Sequence, residues 1–417
     1  MKIYLQQNVY EAALDRIRWV FDEFENVVIN YSGGKDSTVL LRLALQVARE
    51  QGRLPLPVMW LDQEIEWQAT TDHVREVMYE PEVKPMWMQF PFVISNATSP
   101  TARYLDCWAE DKREQWVHPR DPIAITENKY DEVRFHKLFG RIIQVEYPEG
   151  MTANLAGVRC EESPARQGGL TNKATYKHVT WGKKFGKHHY NFYPIYDWTT
   201  SDVWKAIHDN GWPYCTIYDQ FYRYGVPLPK MRVSNLNHET SLESLLIAHE
   251  IEPETWNRVQ ERLQGTNTAK TLGTKMMEVP ELPFMFEDWQ EYREYLLEKL
   301  ITEPEVVEVF RRMFDNHDRK FERMLMKEHL WKHHVRALLL NDLEAVTVNN
   351  FFVRPHTIDL LRFWKGSRHR NNLTNPFIDW SREDETPPLP EFEQLGAELR
   401  AIKNPTANRS HSRPRIS

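Results

Sequence analysis

Ser32-Gly33-Gly34-Lys35-Asp36-Ser37 separates the apolar run Val27-Val28-Ile29 from the apolar stretch Val39-Leu40-Leu41. A strand, a tight glycine turn and a helix start are written in that order. Two adjacent glycines let the backbone turn sharply and bring its N–H groups close to an anion. A helix opening near Asp36 or Ser37 adds unpaired N–H donors and the positive end of its dipole. The hexapeptide therefore reads as a phosphate cradle, and a pyrophosphate is its expected ligand. It is not the P-loop with four residues between glycine and Gly-Lys-Ser/Thr, because Gly33 and Gly34 are adjacent and Asp36 separates Lys35 from Ser37.

Outward from the loop, Thr38 to Glu50 is apolar on most faces, which predicts a helix packed deep against a sheet and ended near Gly52. Val58-Met59-Trp60-Leu61 reads as a buried strand, Trp67 to Tyr79 as a helix and Met86 to Phe90 as a third strand. Strand and helix alternate, so an α/β domain with a parallel sheet and helices on both faces is expected. Ligands of such sheets bind outside the carboxyl ends of the strands, where the glycine loop and Asp62 both fall. Asp62 reads equally as a group near the nucleotide or its metal and as a cap for the following helix. Residues 95–140 read as an irregular insertion over the site.

A second motif follows the expected strand Leu155 to Val158. In Gly157-Val158-Arg159-Cys160-Glu161-Glu162-Ser163-Pro164-Ala165-Arg166, two guanidiniums flank an acid and a hydroxyl. Guanidinium forks suit phosphate or sulfate oxygens, and Glu162 is placed to hold one of them. The same residues also read as a structural ion-pair network. Tyr193 to Trp204 reads as a turn and a capped helix start, with Trp198 and Trp204 in the core. Beyond Asn235 the pattern becomes helical: Trp256, Val259 and Leu263, then Trp289, Tyr292, Leu296 and Leu300, stand at helix spacing, and Thr302 with Glu305 spells a capping box. The expected organisation is a nucleotide domain over 1–235, a mainly helical region over 236–399 and a tail over 400–417. That tail has five basic and no acidic residues and is expected to be disordered.

The 417 residues carry a net charge of −7, with 41% hydrophobic and 27% charged residues, as in an ordinary globular protein. Such a charge gives no global attraction to nucleic acid, so a polyanion would need a local basic surface. Residues 151–200 supply one, with seven Lys or Arg against three Asp or Glu. No stretch has signal-peptide or membrane-span character, and the cytoplasm is the expected location. Cys107, Cys160 and Cys215 form no C-x-x-C pair, which argues against a disulfide framework, a structural zinc and a four-cysteine iron–sulfur cluster.

The loop spelling resembles the PP-loop of the adenine-nucleotide alpha-hydrolase superfamily. The Gly157–Arg166 segment resembles the Gly-[Ile/Val]-Arg-x-x-Glu-Ser-x-x-Arg element of phosphoadenosine phosphosulfate (PAPS) reductase-like proteins, and Tyr193–Trp204 resembles the Pro-Ile-x-x-Trp-[Ser/Thr]-x-x-Asp-[Val/Ile]-Trp element of the same family. Trp212-Pro213-Tyr214-Cys215-Thr216-Ile217-Tyr218-Asp219 is similar to a segment of FAD synthetase domains. Together these cover roughly residues 25–235, and the whole chain looks like the immunoglobulin-binding regulator A subgroup. The family's Glu-Cys-Gly-x-His nucleophile segment is missing, which sets thioredoxin-coupled reduction aside.

The resemblance implies a Rossmann-like fold and ATP or a related adenine nucleotide bound by Ser32, Gly33, Gly34, Lys35, Asp36, Ser37, Asp62, Gly157, Arg159, Glu162, Ser163 and Arg166. Asp36 and Asp62 would place Mg²⁺. Lys35, Arg159 and Arg166 would stabilise charge as attack at the α-phosphorus releases pyrophosphate, leaving AMP or an adenylylated acceptor. Two alternatives stand beside this: a nucleotide-binding regulator of gene expression acting with a ParB-like protein or DNA, and a sulfonucleotide enzyme acting on PAPS. Three further features are noted. His329 and His333 have a metal-compatible spacing; His188-His189 with Lys183, Lys184 and Lys187 reads as a basic loop over phosphates or as a solvated face; and Arg362–Arg370 interleaves cations with aromatics, as nucleic-acid surfaces and helix ends both do.

Overall fold

Asn26–Asn30 forms β1, and its burial on both faces requires a central position in a sheet. The computed structural model describes residues 6–343 and 348, apart from 97, 100, 101, 103, 163, 172, 173, 229, 230, 234, 238–241, 264, 267–280, 321–326 and 341. The chain divides into two compact units, Met1–Thr274 and Lys275–Ser417.

The first unit opens with α1 (Val9–Glu23), capped by Asn8, whose side chain accepts from the Glu11 N–H at 2.9 Å. Ala13, Leu14, Ile17, Val20 and Phe21 form its buried stripe at helical spacing. After β1 come α2 (Lys35–Glu50), β2 (Leu56–Leu61), α3 (Gln68–Met78) and β3 (Val83–Met88). Leu40, Leu41 and Leu43 of α2 are fully buried, each contributing about 1.5–3 kcal/mol relative to exposure. Next are β4 (Phe92–Ser95), β5 (Tyr104–Cys107), α4 (Phe135–Glu146), β6 (Thr152–Ala156), α5 (Pro164–Thr171), β7 (Gly182–Lys184) and β8 (His189–Phe192). Helices α6 (Thr200–Asn210), α7 (Ile217–Arg223), α8 (Leu242–Ile251) and α9 (Pro253–Arg262) complete the unit.

The main sheet has the order β3-β2-β1-β6-β8-β7, parallel except for β7. β1 has β2 on one side and β6 on the other, so the chain reverses its direction of progress across the sheet at this pair. In register, Asn30 lies opposite Ala156. The glycine loop and Gly157 therefore leave the sheet side by side, at the topological switch point where doubly wound sheets bind ligands.

Two expectations change. Residues 95–140 are not irregular throughout: β4 and β5 pair antiparallel, with Phe92, Ile94, Leu105 and Cys107 buried at period two. The intervening polar residues 96–103 conceal that pairing in the sequence. The basic segment at His188-His189 is no loop over the phosphates. His189 starts β8, buried and held 2.8 Å from the Tyr147 carbonyl, and pairs with Thr152 at the start of β6, the opposite end of the sheet from the glycine loop.

The first unit continues past residue 235. Glu252 accepts the N–H groups of Gln68 (2.7 Å) and Ala69 (3.0 Å) at the head of α3, and Arg262 pairs with the buried Glu64 at 2.6 Å. In the second unit, helices Trp289–Lys299, Pro304–Lys320 and Lys327–Leu339 enclose Leu297, Phe310, Phe314, Leu330, Val335 and Leu338. Thr302 bonds to Glu303 at 3.0 Å rather than forming the capping box with Glu305, because the helix starts at Pro304. The region from Arg362 to Arg370 and the 400–417 tail lie outside the described residues. Among the described residues no helix is long and apolar enough to cross a membrane.

Candidate functional site

The loop is closed by hydrogen bonds among its own residues. Gly33 has φ +72°, and a Cβ there would stand 2.9 Å from Thr70 Cγ2 and Val74 Cγ2, so the turn requires glycine twice over. Gly34 caps α2 without a side chain. The Ser37 hydroxyl donates to the Gly34 carbonyl at 2.9 Å, accepts the Ser32 N–H at 3.3 Å and lies 3.0 Å from Ser32 Oγ. Below the loop, Tyr31 Oη sits 3.1 Å from Thr38 Oγ1 and 2.9 Å from His73 Nε2, all buried.

Lys35 is nearly buried. Its N–H donates to the Tyr218 hydroxyl at 3.0 Å, and its ammonium lies 5.5 Å over the Tyr218 ring and 2.9 Å from Asp36 Oδ2. The other Asp36 oxygen receives Arg159 Nε at 2.5 Å. Lys35, Asp36 and Arg159 thus form a cation–anion–cation chain at the N-terminus of α2. Gly157 makes this possible: a Cβ on it would stand 2.8 Å from Asp36 C and Ser37 N, so only glycine lets the end of β6 approach the helix start so closely.

Arg159 is 97% buried and fully employed. Besides Asp36 it donates to Glu161 (2.9 Å), the Trp198 carbonyl (3.3 Å) and Thr200 Oγ1 (3.3 Å). Glu161 also accepts the Thr200 N–H at 2.6 Å, tying this motif to the head of α6, where Thr199 and Asp202 form a reciprocal capping box. Burial pushes the Glu161 carboxyl up, but the Thr200 and Arg159 contacts outweigh it and leave the pKa lowered. Arg166 pairs with Glu162, whose backbone carbonyl accepts Arg232 Nη2 at 3.2 Å. Ser163 lies outside the described residues.

The structure brings Ser32 through Ser37, Gly157 and Arg159 together, with Glu162 and Arg166 on the same strand-following segment. It does not place Asp62 among them. Asp62 is fully buried and accepts Trp87 Nε1 (2.9 Å), Gln89 Nε2 (2.8 Å) and the Glu64 N–H (2.9 Å), with His118 Nε2 at 3.3 Å. Both of its oxygens are taken by neighbours. Burial lowers the His118 pKa, but the Asp62 charge and contact outweigh it and leave it raised. Cys215 and Cys107 are buried thiols, the first pushed up to about 11 and the second well above its ordinary value, mainly by desolvation. Among the described residues no group of three or more His, Cys, Asp or Glu side chains is arranged to hold a metal.

Two residues at the site escaped the sequence reading. Tyr218 lies within the Trp212–Asp219 segment, but nothing local shows that its hydroxyl meets the Lys35 N–H. Arg232 stands outside every motif, in Lys230-Met231-Arg232, and carried no signal.

The phosphoadenosine phosphosulfate reductase domain matches residues 26–224, and a domain of unknown function (DUF3440) matches residues 225–320. An uncharacterized protein of Escherichia coli K12, YbdN, is 28% identical over 320 residues, covering 72% of this chain and 77% of its own length. Sulfate adenylyltransferase subunit 2 of Mycobacterium tuberculosis H37Rv is 27% identical over 216 residues, 47% of this chain and 58% of that one. The PAPS reductase of Candida auris aligns with 57% of this chain and 99% of its own at 16% identity and a TM-score of 0.33. The match over residues 26–224 to the phosphoadenosine phosphosulfate reductase domain spans both the glycine loop and the arginine segment beside it.

Proposed function

We propose that the first unit binds ATP or a closely related adenine nucleotide, with the pyrophosphate on Ser32 to Ser37, and directs attack at the α-phosphorus. The observation that carries this reading is the chain Lys35–Asp36–Arg159 beneath Gly157. Asp36 holds both cations. An incoming phosphate offers them more negative charge, takes the Lys35 ammonium and the Arg159 fork, and releases the carboxylate. The nucleophile of the acceptor then forms a bond to the α-phosphorus as the bond to the bridging oxygen breaks, and pyrophosphate leaves with that electron pair. The Lys35 ammonium, over the Tyr218 ring, and Arg159, held by Glu161 and the Trp198 carbonyl, then meet the developing charge. The acceptor becomes adenylylated, or AMP forms if the acceptor is water.

Asp36 is the carboxylate that fits a Mg²⁺ carried in by the nucleotide, since this ion takes one or two carboxylates with the substrate phosphates. When bound, Mg²⁺ neutralises phosphate charge. Asp62, closed in its own network, has no part in this proposal. The name of the sulfate adenylyltransferase subunit supports adenylyl chemistry in a relative. We place the protein in the cytoplasm.

A second reading, a nucleotide-binding regulator of the immunoglobulin-binding regulator A type, is favoured by one feature of the helical unit. Phe284 is 97% exposed beside the exposed Met285, two apolar side chains that this reading gives to a partner. In this reading the C-terminal region engages a ParB-like protein or DNA. A sulfonucleotide substrate, PAPS, is the third. Purified protein incubated with α-labelled ATP and Mg²⁺ separates them: labelled AMP or a labelled acceptor supports the first reading, tight binding without turnover the second, and preference for PAPS over ATP the third.

A further inference from the structure

Arg232 lies on the segment after α7, outside both motifs, yet its Nη2 donates to the backbone carbonyl of Glu162 at 3.2 Å while the Glu162 carboxylate pairs with Arg166. One residue thus receives a guanidinium on each of its two acceptor groups. A carbonyl orients Arg232 but leaves its full positive charge. Around the site, Lys35, Arg159, Arg166 and Arg232 face Asp36, Glu161 and Glu162, so positive charge is in excess. Arg166 registers that excess: burial first, then the charges of Arg232 and Arg159, pull its pKa below the ordinary value, against an opposing pull from Asp36. Like charges gathered at one place cost energy that an anion bound among them recovers.

We infer that Arg232 and Arg166 form a second anion subsite beyond the loop, which takes a phosphate or sulfate group on the molecule that meets the nucleotide. The inference rests on the nucleotide reading above, in which Lys35 and Arg159 are occupied by the pyrophosphate. The acceptor is then an anionic molecule bearing a phosphoryl or sulfuryl group. Two forks suit a tetrahedral oxyanion with three exposed oxygens, whereas a carboxylate fills only one.

The experiment uses the full chain saturated with α,β-methylene ATP, into which inorganic phosphate or inorganic sulfate is titrated calorimetrically. Wild type is expected to bind at least one of the two. Arg232→Ala should weaken that binding by about tenfold or more and Arg232→Lys by less, since a point charge replaces a fork. Affinity for the nucleotide itself should change less than about threefold. Circular dichroism and thermal melting confirm folding, and Arg232→Gln, which keeps the stem and the carbonyl contact, takes the place of an unfolded alanine variant. Phosphate binding that strengthens from pH 6 to pH 8 and exceeds that of sulfate assigns a phosphate monoester, and sulfate binding tighter than phosphate at both pH values assigns a sulfuryl group. Absence of anion binding to the saturated wild type, or equal anion affinity in wild type and Arg232→Ala, overturns the subsite. A parallel loss of nucleotide affinity does the same, by placing Arg232 on the nucleotide. If α,β-methylene ATP does not bind at all, the nucleotide reading fails, and titrating the anions into the unliganded protein still decides Arg232.

Discussion

Arg159 in the first unit and Arg293 in the second are both almost fully buried guanidiniums, and they do opposite things. Arg293 donates to Asp318 (2.9 Å), His334 Nδ1 (3.0 Å) and Glu294 (2.9 and 3.1 Å). His334 in turn stacks on Phe314 at 4.1 Å and bonds to His317 at 3.2 Å. The acceptors around Arg293 match its donors, and the cluster lies inside a helical core. Arg159 is equally well held, but it shares its acid with Lys35 and stands near Arg166 in an excess of cations at the switch point of a sheet. Burial alone does not mark a functional charge; in the function proposed above, the mark is a surplus of one sign where backbone donors also converge.

The largest effect should come from Arg293→Ala. It takes the cation from Asp318, which keeps Trp331 Nε1 at 3.3 Å, and one hydrogen bond from the buried His334, which keeps His317; removing one member of a buried pair costs about 3–5 kcal/mol of stability. Nucleotide affinity in the protein that remains folded should be unchanged. Calorimetric melting with nucleotide titration checks both, and a loss of affinity without a loss of stability would invert the comparison.

Lys35→Ala should behave in the reverse way. Asp36 keeps Arg159, so the fold is retained, whereas loss of a charge-assisted phosphate contact costs about 2–4 kcal/mol in transition-state stabilisation or nucleotide binding. Unchanged turnover and affinity in a folded variant would sink the PP-loop assignment of this chain.

Acid should act on both units through histidines held neutral. Burial, followed by the charge of Arg42, pulls His73 down to about 4, below its ordinary 6.5. Between these values the unfolded chain binds a proton that the folded chain does not, so stability falls as pH drops from about 6.5 to 4. Between pH 7 and pH 5 this group should remove about 2 kcal/mol. Denaturant unfolding of wild type and His73→Gln at the two pH values tests it; the variant should show a shallower fall. His334, at about 2 through burial and the charge of Arg293, extends the same sign of dependence to lower pH in the helical unit.

Cys215→Ala should give the smallest effect. The thiol lies 3.7 Å from Thr70 Oγ1 with its pKa raised, so the change should cost about 1 kcal/mol of packing and leave activity in place. A folded variant without activity, together with a trapped sulfur adduct on wild type, would restore thiol chemistry to the site.

The glycine loop, α2 and the arginine segment were legible because their determinants are local. Adjacent glycines, apolar flanks and the placement of Arg159 directly after a strand are all properties of neighbouring residues. Asp62 was not, because its partners Trp87, Gln89 and His118 arrive from other segments, and an aspartate after a strand looks the same whether it faces a ligand or a tryptophan. The β4–β5 hairpin escaped because four-residue strands give too short an alternation to stand out beside the polar stretch between them. Tyr218 and Arg232 reach the site through tertiary contacts that no spacing encodes.

Glu64 has φ 66° and a fully buried carboxylate that Arg262 neutralises from 198 positions later in the chain. A ribosome adding about 5–20 residues per second makes Arg262 roughly 10–40 seconds after Glu64. Until then the strand end carrying Glu64 must keep its carboxylate in water or take up a proton, and α3 lacks the Glu252 carboxylate that caps its first turn. The first unit is therefore finished by a segment beyond all of its own motifs, and the nascent chain passes through an interval in which the loop residues are synthesised but the helix packed against Gly33 still lacks its cap.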